Sequence, residues 1–317
     1  MSLIIAVDIG GTHIRTALYD PQNTKPIRHH RTRSHALESG VFERLVKAIE
    51  TIWPGEGQIA AIGVASPGPL DPHSGTILAT PNIPAWINFP LGPSLAEHFQ
   101  VPVFIDNDAN LAALGEWRYG AAKGHHNVLY LTISTGIGGG VIVNDELLQG
   151  YHGLAAELGH VTILPNGPKC SCGYRGHIEA LASGPAIARY VQGQLARGVP
   201  SRLAPDPGLS AREIAEAALQ GDALARRAFA RAGRYLGIAV ANFLHIFDPS
   251  ILIFGGGVSQ VGPLLFEPFE VSLRQRVFHP RYLENLVITQ AALGDDAGLL
   301  GALALAVLKS EGRKRPV

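Results

Sequence analysis

Cysteine and methionine are almost missing: the 317 residues contain two of the first and one of the second. Two cysteines cannot build the disulfide framework of a small secreted domain, which argues for a reducing, cytoplasmic setting. Net charge is missing as well, because 26 Lys and Arg balance 26 Asp and Glu. No electrostatic footprint for nucleic acid or for a membrane surface is therefore visible. There is no long hydrophobic run either. The apolar stretch Ala297 to Leu308 covers twelve residues, well short of the roughly 20 that span a bilayer. The start, Met1-Ser2-Leu3-Ile4-Ile5-Ala6-Val7, has no basic region and reaches Asp8 too soon for a signal peptide. Two nucleotide signatures are absent too. Gly-x-x-x-x-Gly-Lys-Ser/Thr does not occur, and Gly136 to Gly140 fails Gly-x-Gly-x-x-Gly because Val141 follows. P-loop and Rossmann binding are thereby excluded.

What is present is enough apolar sequence for one large or two medium domains, 46% of residues being hydrophobic. Leu3 to Val7 reads as a strand ending at Asp8-Ile9-Gly10-Gly11-Thr12, with a second strand over Ile14 to Tyr19. The pattern returns later: Val128 to Ile133, then Ser134-Thr135-Gly136-Ile137-Gly138-Gly139-Gly140, then Val141 to Val143. Glycine in a hairpin is usually structural, but its backbone N–H groups can also approach phosphate. Recurrence favours the second reading and suggests two similar domains, each giving one loop to a shared cleft.

Between the hairpins, Val41, Leu45, Val46, Ile49 and Ile52 have helical spacing. Ile59 to Ala65 reads as a buried strand, and Thr80 to Trp86 as a loop in which Asn82 either makes a turn or meets a ligand. The strand Val101 to Ile105 delivers Asp106-Asn107-Asp108-Ala109-Asn110 just before a helix over Leu111 to Trp117. Polar groups at the carboxyl end of a strand sit where open α/β sheets bind ligands. One of them suffices for a helix cap, so the excess points to catalysis. Further on, Ala180 to Gln194 reads as a helix, Ser210-Ala211-Arg212-Glu213 as a capping box, and Asp222 to Phe247 as mostly helical. The strand Ile251 to Phe254 ends at Gly255-Gly256-Gly257, where a flat group such as adenine can lie on the backbone.

Both cysteines fall in one stretch. Glu157-Leu158-Gly159-His160 is followed, nine residues on, by Cys170-Ser171-Cys172-Gly173-Tyr174-Arg175-Gly176-His177-Ile178-Glu179. Cysteines one residue apart make a poor disulfide. Two thiols and two imidazoles within eighteen residues instead match a closed tetrahedral zinc site of His160, Cys170, Cys172 and His177. The alternative is a surface loop with free thiols. Zinc does not need Glu157 and Glu179, and carboxylates held there suit a hydroxyl-rich ligand.

Together these pieces resemble the ROK family of sugar kinases and sugar-responsive repressors over nearly the whole chain. The resemblance implies an α/β, two-domain actin-like ATPase (ribonuclease H-like) fold with a cleft between domains. Residues 1–116 plus 296–317 would form the small domain, and 117–295 the large one. It also implies that Asp8, Gly10, Gly11, Thr12, Thr135 and Gly136 serve the phosphates and Mg²⁺ of ATP. Gly255, Gly256 and Gly257 would serve the adenosine, and Asp108 would be the catalytic base. Asn82, Asn107, Asp108, Glu157, His160 and Glu179 would hold the sugar. The reaction implied is ATP-dependent phosphorylation of the 6-hydroxyl of glucose, with N-acetylhexosamines or fructose as alternative acceptors. A sugar sensor without catalysis is the alternative of another class. One departure concerns the metal: the family usually has a third cysteine where this chain has His177. Family repressors carry a winged helix ahead of the first strand. Here that strand starts at residue 3, so no DNA partner is expected, but a homodimer or homotetramer is.

Overall fold

The structure is a computed structural model that describes residues 2–34, 40–55, 58–80 and 83–312. It divides into two compact units. One comprises Met1–His125, Glu146–Ala156 and Ala291–Val317, the other His126–Asp145 and Glu157–Gln290.

In the first unit, β1 (Ser2–Ile9) and β2 (His13–Tyr19) form the expected hairpin, paired antiparallel from Ile4↔Tyr19 to Ile9↔Ile14. β3 (Arg28–Arg33) continues the sheet antiparallel to β2. Helix α1 (Val41–Ile52) follows and buries Leu45, Val46, Ile49 and Ile52, the stripe read from sequence. Then β4 (Gln58–Ser66) returns parallel to β1. A short ladder, β5 (Leu70–Asp71) and β6 (Thr76–Ile77), leads to α2 (Leu91–Phe99). Finally β7 (Val103–Asn107) pairs parallel to β4 and runs without a break into α3 (Asp108–Tyr119). The sheet order is β3-β2-β1-β4-β7. Strand β1 alternates: Ile5, Val7 and Ile9 pack with Leu45 and Ile49 of α1 and with Leu91 and Leu95 of α2. Strand β7 lies two residues later than its apolar run suggests, and α3 starts three residues earlier than Leu111. The cause is Asn107, whose Oδ1 accepts from the Ala109 N–H at 2.9 Å and so draws the polar turn into the helix.

The second unit opens with β8 (Val128–Ile133) and β9 (Ile137–Val143), an antiparallel hairpin around Ser134 to Gly136. After β10 (Glu146–Leu147) and the first-unit excursion come α4 (Glu179–Ala182) and α5 (Gly184–Leu195). The sequence suggests one helix here. Ser183 ends the first and caps the second, its Oγ accepting from Ala186 N–H at 3.4 Å, with Pro185 in the opening turn. Helix α6 (Ala211–Leu219) carries the expected capping box of Ser210 and Glu213, and α7 (Ala223–Phe247) is capped by Asp222. Next come β11 (Ile251–Gly255), α8 (Pro263–Arg274) and β12 (Val287–Gln290). Strands β9, β8, β11 and β12 are neighbours in that order, with β11 parallel to both β8 and β12. The hairpin read twice in the sequence is thus built twice, each time with a parallel strand beside its first strand. The chain then re-enters the first unit as α9 (Ala297–Gly312), which packs on β1, β4, β7 and α3.

Helices α7 and α8 meet at Gly237, where an added Cβ would lie 2.6 Å from Phe269 O and 2.6 Å from Ser272 Cβ. Helix propensity alone favours Ala over Gly by about 1 kcal/mol, but a clash with backbone costs about 1–3 kcal/mol. Gly237→Ala therefore lowers stability instead of raising it. Thermal denaturation should show a midpoint several degrees down, and a raised midpoint would mean that α8 shifts freely.

Candidate active site

Asp8 sits near the end of β1, and the turn after it closes through Gly10 N–H donating to His13 O at 2.8 Å. That amide is spent on the hairpin and is not available to a ligand. Arg15, directly opposite Asp8 in the register, donates to Asp8 Oδ2 through Nε at 3.0 Å and through an Nη2 contact. Both donations fall on the same oxygen.

The second cluster of the first unit lies where β7 becomes α3. Asp108 is exposed at the first position of the helix, and its Oδ1 accepts from Ala109 N–H at 2.8 Å. Asn107 spends its Oδ1 on the helix cap, leaving its amide NH₂ to donate. Asp106 is fully buried. Burial pushes its carboxyl above the usual range, while hydrogen bonds from Asn110 and Gln149 pull the other way. Asn82 lies outside the described residues.

In the second unit, Ser134 and Thr135 of the turn between β8 and β9 share a cavity of about 950 Å³ with Gly257. Pro185, Arg189 and Gln192 of α5, Arg212 and Glu216 of α6, and Gln260 also line it. No motif flags these helical residues; the only signal is the Ser210 capping box that starts α6 beside the cavity. The three glycines divide their work. Gly257 lines the cavity, whereas a Cβ on Gly255 would meet Tyr130 Oη at 2.3 Å. Gly256 has φ +81° and lies against Ile133 O, where a Cβ would come within 2.4 Å, so only glycine fits.

The four donors read from the sequence do come together in space. One ligand atom each from His160, Cys170, Cys172 and His177 lies within 4.8 Å of all the others. Cys170 Sγ is 3.8 Å from His160 Nδ1, and Cys172 Sγ is 3.3 Å from His177 Nδ1. A zinc tetrahedron with bonds of about 2.0–2.3 Å has ligand–ligand edges of roughly 3.3–3.8 Å, so the donor set fits zinc in kind and in size. The loop carrying it is fixed by backbone pairing, with Cys170 N–H on Tyr174 O at 2.7 Å and Ile178 N–H on Val161 O at 3.0 Å. Burial pushes the Cys170 thiol up to about 11, which a bound cation would reverse. Burial, then the His160 charge, lowers His177.

Glu179 joins this loop to the turn between β8 and β9. Its Oε1 accepts from Ser171 Oγ at 2.6 Å and from Cys170 Sγ at 3.3 Å, and its Oε2 from Ile137 N–H at 3.2 Å. Burial opposes its ionisation, but these hydrogen bonds outweigh that and hold its carboxyl below the usual range. Glu157 precedes the single turn Leu158–His160. Desolvation raises its carboxyl, His160 opposing and Glu179 adding to the rise.

Residues 4–309 match the ROK family. The chain belongs to that family. A glucokinase from Thermotoga maritima is 39% identical over 95% of this chain and 96% of its own length. A solved ROK glucokinase from Streptomyces griseus, in complex with glucose and AMPPNP, superposes with TM-score 0.78 at 35% identity. That match covers 96% of this chain and 99% of the other. The xylose repressor of Bacillus subtilis is 32% identical over 96% of this chain, which spans 76% of the repressor. The actin-like ATPase fold of the ROK kinases, with mixed α/β sheets in two domains, is therefore the fold of this chain. Among the described residues no helix is long and apolar enough to cross a membrane.

Proposed function

We propose that this chain is a glucose kinase that transfers the γ-phosphoryl group of ATP to the 6-hydroxyl of glucose. The observation that carries this is the full-length likeness to a glucokinase solved with glucose and AMPPNP. Its placement of an exposed carboxylate at the strand-to-helix turn of β7 and α3 agrees with the chemistry. Phosphoryl transfer asks for positioning and charge neutralisation more than for covalent help.

Asp108 accepts the proton of the 6-hydroxyl as that oxygen attacks the γ-phosphorus and the bond to the β-phosphate oxygen breaks. The amide NH₂ of Asn107 donates to the sugar. Glu157, His160, Glu179 and Asn82 serve the remaining hydroxyls, with His160 using Nε2 because Nδ1 is turned to sulfur. The N–H groups of Gly11, Thr12, Thr135 and Gly136 cradle the phosphates, and the adenosine lies in the cavity at Gly257. A magnesium ion arriving with the nucleotide would neutralise phosphate charge. Asp8 would hold it through water, with Arg15 keeping one carboxylate oxygen engaged. Zinc would be held by His160, Cys170, Cys172 and His177. With four protein ligands it has no place for substrate, so its part is to stiffen the 157–179 loop.

A kinetic panel tests the acceptor: glucose, N-acetylglucosamine, N-acetylmannosamine, mannose and fructose with Mg·ATP, followed by ADP release. Glucose is expected to lead in kcat/KM by tenfold or more, about 1.4 kcal/mol at the transition state. Groups that a bound sugar covers and pairs penalise an acceptor that leaves them unpaired. An acetylated sugar in first place would move the assignment within the family. No ADP with any sugar would point to a sensor.

A further inference from the structure

Asp106 is buried two residues before the proposed base, and it takes no part in the transfer described above. Its carboxylate accepts three hydrogen bonds from three places: Asn107 N–H at 2.7 Å, Asn110 Nδ2 at 2.9 Å and Gln149 Nε2 at 2.5 Å. The first two bind the opening turn of α3, which presents Asp108. The third reaches residues 146–156, a stretch that the chain lends to the first unit. Gln149 also closes that stretch, its carbonyl accepting from Ala155 N–H at 3.0 Å. The tip packs on Pro72, which a Cβ on Gly153 would meet at 2.1 Å. Ala156 then leaves with φ +65°, a conformation alanine holds only where its surroundings fix it. The next residue is Glu157.

We propose that Asp106 is a positioning residue, tying the turn that presents Asp108 to the loop that leads into Glu157. A buried carboxylate is costly unless its oxygens are satisfied. Here donors come from two separate segments, so the charge is accommodated only when both are in place. The bland alternative is a helix-capping acid. It fails to explain the Gln149 bond, because a cap needs only the amides of its own helix. This inference rests on the kinase reading for its kinetic consequence but not for its structural one.

The test reverses the bond between residues 106 and 149. In Gln149→Glu a carboxylate faces the carboxylate of Asp106, acceptor against acceptor, and no turn of either side chain repairs it. The pair Asp106→Asn/Gln149→Glu restores the bond with donor and acceptor exchanged and the charge count unchanged. Gln149→Glu is expected to lower kcat by roughly 10- to 100-fold, since displacements near 1 Å cost that much. The KM for ATP should move little, because the nucleotide cavity does not involve these residues. The reversed pair is expected to recover most of kcat. Gln149→Ala, which removes the same bond without adding a charge, should reproduce the single-variant pattern even if Gln149→Glu folds poorly. Amide exchange supplies a readout independent of activity: residues 146–156 should exchange faster in both single variants and return to wild-type rates in the pair. Unchanged exchange, or a loss of kcat that the pair does not repair, overturns the proposal. If exchange behaves as expected while the wild type phosphorylates nothing, the kinase reading has failed and the tie stands.

Discussion

Asp108→Asn is expected to retain glucose binding and to lose turnover by about 10²–10⁴-fold, the usual value of a positioned general base. The substitution is clean for a structural reason. The cap of α3 is Asn107, whose Oδ1 holds the Ala109 N–H at 2.9 Å, and the Asp108 contact to the same N–H at 2.8 Å survives in an amide. Helix and fold should therefore be intact, which circular dichroism and thermal denaturation check. Binding is measured by calorimetry with glucose alone, turnover by ADP release. A loss confined to kcat identifies an interaction made in the transition state. If turnover stays within tenfold of the wild type in a folded protein, the proton goes elsewhere and Asp108 is not the base.

His177→Ala is expected to lose both metal and sugar. The wild type should carry about one zinc per chain by elemental analysis, as should His177→Cys, since thiolate and imidazole both serve a tetrahedral site. The alanine variant leaves three donors, and a closed structural site gives up folding energy with its fourth ligand. The consequence for sugar follows from Glu179, which accepts from Cys170 and Ser171 on the 157–179 loop and from Ile137 at the start of β9. Loosening the loop frees that carboxylate and the neighbouring His160 together. A chelator should act on the wild type in the same direction, lowering its unfolding midpoint and its affinity for glucose. Full zinc and full activity in His177→Ala would mean that hydrogen bonds alone hold the loop.

Some of this was legible in the chain. Strong short-range signals carried it: two hairpins with glycine turns, the capping box at Ser210, and the pair of cysteines with histidines at ligand spacing. The first three are local, decided within ten residues by backbone geometry, and the structure repeats them closely. What was not legible depends on residues distant in sequence. The cavity at Gly257 takes nearly half of its lining from α5 and α6, whose apolar and charged residues look like any helix surface. Gln149 carries no motif, and only the fold brings it to Asp106. Ser183 looked like an interior residue of one helix until its hydroxyl was found capping the next. The split of duties among Gly255, Gly256 and Gly257 was equally hidden, because it follows from Tyr130 and Ile133 more than a hundred residues earlier.

The first unit opens with β1, yet its sheet is covered on one side by α9, which follows the whole of the second unit in sequence. Synthesis runs from the amino end and domains close as they emerge. Here β1 and β4 must wait, with one face bare, until the second unit and then α9 have been made. The second unit, complete by Gln290, has all its chain in hand sooner. The order of birth and the order of completion are therefore opposite, and an unfinished chain that stops before Ala297 exposes the apolar face of its oldest strands.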